Sequence, residues 1–281
     1  MKGTIMTLIG AILLGLIGPI VKVIGGEVNP YAINFYRMVF AFLFLLALSP
    51  LYKDKLLGLT RPQLTDKFIL GFLMAAGFSL WVAAFNYAPV SNVTLIGVSQ
   101  AVFAGMLGYF MLNEKINRVE IYSFILAFIG LVIINPFDAS YSSGNVLAII
   151  SSLFFSLMIV FMKKRGKVHT FRTLLYSFFF AAVFLSPSLL LENASPIPHL
   201  GLILFLGIAS TGIAYLLIIF GLRKVEVEAE SLIILITVPL VGILLSVSFL
   251  GEQLVPRVII GGIILIMAAI VVLKGKTMHI A

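Results

Sequence analysis

The chain has 281 residues, 61% of them hydrophobic and only 11% charged, with a mean hydropathy of +1.18. A soluble domain is nearer half apolar and a quarter charged, so this composition excludes one and selects a polytopic membrane protein. The net charge of +8 is distributed in a way that sets membrane orientation rather than a nucleic-acid surface, and the absence of cysteine excludes disulfides, thiol catalysis and cysteine-held zinc.

Ten apolar runs read as helices: Ile5–Ile24, Tyr31–Leu51, Phe68–Asn86, Val93–Leu112, Val119–Ile134, Val146–Met162, Phe171–Leu191, Leu200–Leu222, Ser231–Leu250 and Val258–Leu273. The runs are continuous rather than alternating, which argues against a membrane barrel. The first run follows Lys2 but continues to Ile24 with no small-residue cleavage site after it, so it reads as a span and not as a signal peptide. Asn29-Pro30 supplies an N-cap and a first-turn proline for the second helix, and Pro198 stands just before the eighth. The fifth and tenth runs are short for a straight span.

The fourth run has a copy. Val93–Glu114 corresponds to Ser231–Glu252, an offset of 138 (252 − 114), and each ends in Leu-x-Glu: Leu112-Asn113-Glu114 and Leu250-Gly251-Glu252. The next helix starts at the same offset by two devices. Asn117 is a cap with Glu120 at capping-box spacing, and Pro256, a favoured first helical residue, stands where the offset carries Arg118. The first two helices repeat at an offset of 140 (166 − 26), in Gly26/Gly166, Val28/Val168, Tyr36/Tyr176, Phe40/Phe180, Ala41/Ala181, Phe44/Phe184 and Leu45/Leu185. A five-span unit is odd, so its second copy enters the membrane upside down. The expected fold is an all-α membrane protein of ten transmembrane helices in two inverted five-helix repeats, 1–138 and 139–281.

Charge sets the orientation. With the N-terminus inside, the inner segments hold Lys2, Lys53, Lys55, Arg61, Lys67, Lys115, Arg118, Lys163, Lys164, Arg165, Lys167, Arg172, Arg223, Lys224, Lys274 and Lys276, while the outer loops hold only Arg257. The positive-inside rule then puts both termini in the cytoplasm of a cell-membrane protein.

The chain resembles the drug/metabolite transporter superfamily, specifically its EamA-type members. The residues that carry the resemblance are Gly15-x-x-Gly18-Pro19-x-x-x-Lys22, Pro30 followed by Tyr36-Arg37, Leu112-Asn113-Glu114, Val238-Pro239 and Leu250-Gly251-Glu252, in that order over nearly the whole chain. Helix one departs from the pattern, with Gly15-Leu16 where many members carry Trp-Gly. The resemblance implies export or exchange of a small metabolite, often an amino acid, by alternating access.

Lys22 and Arg37 are cations within spans. Arg37 lies about 9 Å deep at 1.5 Å per residue, where a charge is costly unless it meets a cavity or a partner. Lys22 has the option of snorkelling to the outer interface, and Arg37 of capping carbonyls or pairing with Glu27 or Glu252. Because Arg37 matches a family position, a gating or structural role is expected for both charges. Ala11, Gly15, Gly18 and Lys22 share one face of helix one, which suits close helix packing, and Pro19 is expected to kink that helix. Mid-membrane polar and aromatic groups are few: Trp81, Ser99, Gln100, Thr211 and Tyr215 are the candidate substrate-binding residues. Trp81 either packs between helices or lines a pocket. Gln100 satisfies its amide on a neighbouring helix or on a ligand. Together they describe a mostly apolar pocket with a few donors and acceptors.

The acidic residues sit in loops or at span ends, as Glu120 does, and His169, His199 and His279 fall in loops or the tail, so a carboxylate proton relay across the core is not expected, although Glu114, Glu230 or Glu252 at helix ends could still titrate. No catalytic constellation, metal site or cofactor is expected. Gly275-Lys276-Thr277 matches only the end of a phosphate-binding loop, with Ile270 in place of its first Gly. The sequence therefore points to a non-enzymatic secondary transporter that exports a small metabolite, its partners being that solute and the lipid bilayer. The alternative is uptake or exchange of an anionic metabolite, with Lys22 and Arg37 receiving its charge.

Overall fold

The structure is a computed structural model that describes residues 2–52, 58–113, 118–134, 140–165, 170–222 and 227–277, with the side chains of 222, 227–230 and 272–277 left aside. The described residues form helices with no strand among them. In chain order they are α1 (Lys2–Gly15 and Ile17–Ile24), α2 (Pro30–Leu48), α3 (Arg61–Tyr87), α4 (Val90–Gly97 and Ser99–Leu112), α5 (Arg118–Ile134), α6 (Ser142–Arg165) and α7 (Phe171–Leu185). Then follow α8 (Leu200–Gly207, a π turn Ile208–Ile213, and Ala214–Leu222), α9 (Val227–Leu250) and α10 (Pro256–Thr277). Eight of these segments are long and apolar enough to cross a membrane. α5 has 17 residues and the apolar part of α10 is Pro256–Val271, so both are short of the ~20 residues a straight span needs.

Local chemistry sets several boundaries. The Asn29 side chain accepts the Tyr31 amide at 3.0 Å, with Pro30 opening α2 as expected. α3 begins about two turns earlier than its apolar run, at Arg61 instead of Phe68, because Thr60 and Gln63 form a capping box around Pro62. α7 stops at Leu185 and tightens into a 3-10 turn over Ser186–Leu190, since Pro187 lacks the amide that would continue the helix. Asn113 closes α4 in a left-handed conformation, φ 55°. Glu114, Asn117, Gly166, His169 and His279 lie outside the described residues.

α3 is central and packs on α2, α6 and α7, while α1 packs on α8 and α9. α5 meets chiefly α10, and there a Cβ on Gly261 would stand 2.7 Å from the Gly130 carbonyl oxygen. Only residues without side chains allow that backbone approach.

The helices alternate in direction between two ends of the bundle. At one end the Asn29 amide donates to the Asn193 carbonyl at 2.8 Å, His199 meets Glu27 at 2.9 Å, and the Asn92 amide meets Asn145 at 3.3 Å. At the other end Arg165 pairs with Asp66 at 3.0 Å, and Tyr52 stacks on Phe171 with centroids 4.1 Å apart. α1 therefore ends where α6 begins, and α2 ends where α7 begins.

Candidate functional site

The face Asn34, Arg37, Ala41 and Leu45 of α2 points into the bundle, and all four are fully buried. Arg37 is the largest fully buried side chain among the described residues. Neither Nε nor either Nη has a hydrogen-bond partner there. Its guanidinium carbon lies 4.4 Å over the ring of Phe78. A desolvated cation–π contact contributes about 2 kcal/mol, less than the several kcal/mol that removing a cation from water costs. The expected pairings with Glu27 and Glu252 do not form. Glu27 binds His199, and Glu252 accepts the Val90 and Ser91 amides at 2.7 and 3.4 Å. Arg37 is thus a buried donor that no described carboxylate neutralises, which is the arrangement that accepts an anion.

Phe78 is the hub of the site. It contacts Phe155 at 4.9 Å between centroids and Trp81 and Tyr215 each at 6.2 Å. Phe178 meets Tyr215 at 5.8 Å and Phe85 meets Trp81 at 4.9 Å. Two of the expected residues, Trp81 and Tyr215, therefore join Arg37 through one ring that sequence reasoning did not single out. The signal was present, because Phe78 precedes Trp81 by three residues and shares its helix face.

Three helices are interrupted around this region. α1 breaks at Leu16, three residues before Pro19, whose missing amide leaves the Gly15 carbonyl without its helical donor. On either side of the break Gly15 packs on Val238 and Val241, and Gly18 packs on Phe85 and Val90, so the small-residue face serves helix contact. α4 breaks at Val98, directly before Ser99 and Gln100. α6 covers that break from the side: the Ser156 hydroxyl lies 2.7 Å from the Gln100 carbonyl and 2.6 Å from the Ser152 carbonyl. Ser152 lies 3.4 Å from the Ile96 carbonyl and 2.8 Å from its own Ala148 carbonyl. α8 widens into the π turn, where the Thr211 hydroxyl donates to the Leu206 carbonyl at 2.8 Å. Single-turn π segments and broken helices at membrane depth are typical of functional cavities.

The remaining expected residues divide. Ser99 is buried and its hydroxyl has no partner among the described residues, while the Gln100 side chain is half-buried. Thr211 is committed to the π turn. The Trp81 indole nitrogen comes 3.9 Å from where a Cβ on Gly97 would stand, which joins the aromatic cluster to the α4 break. Lys22 is not with Arg37: it sits half-buried in the last turn of α1, within electrostatic reach of Glu252. Sequence reasoning also missed Asn34, Ser79 and Ser210. The Asn34 amide donates to Ser79 at 3.2 Å, and the Asn34 carbonyl oxygen and the Ser210 hydroxyl are buried without partners among the described residues. No described group of His, Asp and Glu is placed to hold a metal ion.

The EamA-like transporter family matches residues 1–135 and again residues 142–274. The chain belongs to this family. An uncharacterized transporter of Clostridium kluyveri is 26% identical over 88% of this chain and 84% of its own length. One from Archaeoglobus fulgidus is 24% identical over 96% and 95%. An S-adenosylmethionine uptake transporter of Rickettsia bellii is 26% identical over 51% of this chain, and that match spans 49% of the rickettsial protein. A solved crystal structure matches with a TM-score of 0.67 at 17% identity, over 96% of this chain and 95% of that one, which shows a shared fold. The EamA-like chain is accordingly a multi-pass membrane transporter, and its family is one of transporters rather than enzymes.

Proposed function

We propose that this EamA-like protein is a secondary transporter of a small carboxylate-bearing metabolite, working by alternating access. The observation that carries the substrate class is Arg37, buried at membrane depth with an aromatic face beneath it and no described counter-charge. Trp81, Tyr215, Ser99 and Gln100 complete the lining in this reading, with Thr211 holding the π turn and Lys22 acting at the outer end.

Alternating access rests on two inverted five-helix repeats, 1–138 and 139–281, with all ten helices crossing the membrane. Three observations support this. The offset copies in the sequence fall in the two stretches that the family matches. Exchanging the halves maps the packing of α3 on α6 onto that of α8 on α1, and α4 on α6 onto α9 on α1. Counterparts also run in opposite directions, as α1 and α6 do. The skew of Lys and Arg supports termini on the cytoplasmic side of the cell membrane. In a chain without cysteine, Gly26→Cys and Arg165→Cys test this cleanly: the first should react only from outside and the second only from inside. Equal labelling from one side overturns the inverted reading.

Export is the expected direction. The relatives named for S-adenosylmethionine uptake favour a second reading, in which a carboxylate meets Arg37 while a flat ring and a cationic sulfur meet the aromatic faces. Counterflow in proteoliposomes, loaded with amino acids, their amides or S-adenosylmethionine, tests both. Flux of acids that exceeds flux of their amides, and that Arg37→Gln abolishes, is expected. Equal flux of acid and amide, unaffected by Arg37→Gln, would overturn the proposal. Flux measured in vesicles of each orientation separates export from uptake.

A further inference from the structure

From Val90 to Ser99 every residue of α4 is buried except Gly97, which is half-buried. A glycine exposes only backbone, so open space faces it there. Beyond its own helix, the only described atom within 4 Å of a Cβ built on Gly97 is Trp81 Nε1, at 3.9 Å, an ordinary contact distance. Other helical glycines are glycine because a neighbouring helix fills the space. A Cβ on Gly10, Gly15, Gly18, Gly71 or Gly207 would stand 2.5–2.8 Å from an atom of another helix. Gly97 has no such neighbour. Nor does its backbone demand glycine, because the described left-handed glycines are Gly25, Gly58 and Gly251. Glycine is the poorest helix former after proline, so it weakens α4 here unless the space itself has a use.

The surroundings indicate that use. Trp81 meets Phe78 and Phe85 edge-on, and Phe78 lies under Arg37. Ser99, whose buried hydroxyl has no described partner, follows directly after the break at Val98. A path of rings thus leads from the Arg37 guanidinium to the open space beside Gly97.

We infer that Gly97 sets the bulk of the largest solute this transporter carries, because the space beside the Trp81 indole receives the end of the solute remote from its carboxylate. This rests on the reading of Arg37 as the carboxylate receiver and of Trp81 as part of the lining. A methyl group at position 97 would enter that space without clashing with another helix. It takes room from the solute and not from the protein. One methylene in an apolar pocket is worth roughly ten- to two-hundredfold to a solute that fills it, and nothing to one too short to reach it. A glycine beside a helix break has another role open to it, which is to ease the bend. The two roles differ in what a methyl does. Lost ease slows every solute, and lost room slows only the large ones.

Counterflow in proteoliposomes of the full chain separates them with a series of growing side chains: alanine, valine, leucine, phenylalanine and tryptophan, each with its 2-oxo acid. Gly97→Ala should raise the KM of the largest members that the wild type carries about ten- to two-hundredfold, and leave alanine and pyruvate unchanged. Gly97→Val should move the cut-off to a smaller member. Trp81→Phe removes the Nε1 edge that faces position 97, so combining it with Gly97→Ala should restore the largest members. An equal loss for every member assigns Gly97 to the bend and overturns the inference, with the Arg37 site still standing. So does a Gly97→Ala profile that matches the wild type. No wild-type flux for the whole series overturns the inference together with the site reading on which it rests. Because the Cβ has room, Gly97→Ala should melt no lower than the wild type in detergent. A lower melting temperature shows that the space is filled by the protein and overturns the inference without any flux measurement.

Discussion

The carboxylate of Glu252 accepts the backbone amide of Val90 at 2.7 Å, although 162 residues separate them. Glu252 follows Gly251, whose φ of +67° ends α9, and Val90 opens α4 after Pro89. A carboxylate at a helix N-terminus satisfies orphan amides and complements the helix dipole. It therefore ties the end of α9 to the start of α4 at the end of the bundle where α1 also terminates, with Lys22 in electrostatic reach.

Loss of this tie should loosen that end. Glu252→Ala is expected to cost about 1 kcal/mol, the usual value of a helix cap, seen as a lower melting temperature. It should also raise the labelling rate of a cysteine at Ser91, which is buried in the present state. Unchanged labelling would show that the cap stabilises α4 without controlling access.

Arg37→Met should abolish acid transport and leave the ligand-free protein as stable as before, or more so. Replacing a buried, unneutralised charge by an apolar side chain of similar length is neutral or stabilising, whereas breaking a satisfied ion pair costs about 3–5 kcal/mol. Thermal unfolding in detergent reads the difference. A large drop in melting temperature would reveal a counter-charge that holds Arg37 in place.

Gly261→Ala should destabilise by about 1–3 kcal/mol, the range for overpacking. The new methyl would meet the Gly130 carbonyl oxygen at 2.7 Å and the Ile134 amide nitrogen at 3.0 Å, both backbone atoms that yield only if α5 moves. A melting temperature equal to wild type would mean that α5 and α10 separate easily.

Trp81 is the chain's single tryptophan and touches Phe78 and Phe85. Trp81→Phe should keep the aromatic packing and a transport rate near that of wild type, while Trp81→Ala should lower affinity by about two- to tenfold, as loss of an aromatic contact of about 0.5–1.5 kcal/mol implies. Initial rates across a substrate titration check both, and equal rates for the two variants would place the solute away from α3.

The helices were legible because a bilayer demands long apolar runs, and composition alone meets that demand. The cap at Asn29-Pro30 was legible because it is local. The breaks were only partly so. Pro19 announced the one in α1, but only Gly97, a weak signal by itself, stands beside the break in α4, whose carbonyls are served by serines 56 residues away on α6. The π turn in α8 is equally silent, since Thr211 reads as an ordinary helical residue. Lys22 and Arg37 look alike in sequence, and packing separates them: one lies within electrostatic reach of Glu252 at the bundle end, and the other lies over the Phe78 ring with no described counter-charge. Phe78 was hidden among 24 phenylalanines, and only its place three residues before Trp81, on the same helix face, sets it apart from filler.

Ser152 and Ser156 each carry one proton and face two carbonyls, one across on α4 and one on their own helix. A hydroxyl so placed has a fallback. If the half Ser99–Leu112 moved away, the Ser156 proton would still have the Ser152 carbonyl, and if the half Val90–Gly97 moved, the Ser152 proton would still have the Ala148 carbonyl. The donor is never stranded in either position, so its share of the barrier is small. A movement at the α4 break would therefore trade one hydrogen bond for another and leave neither α6 hydroxyl bare.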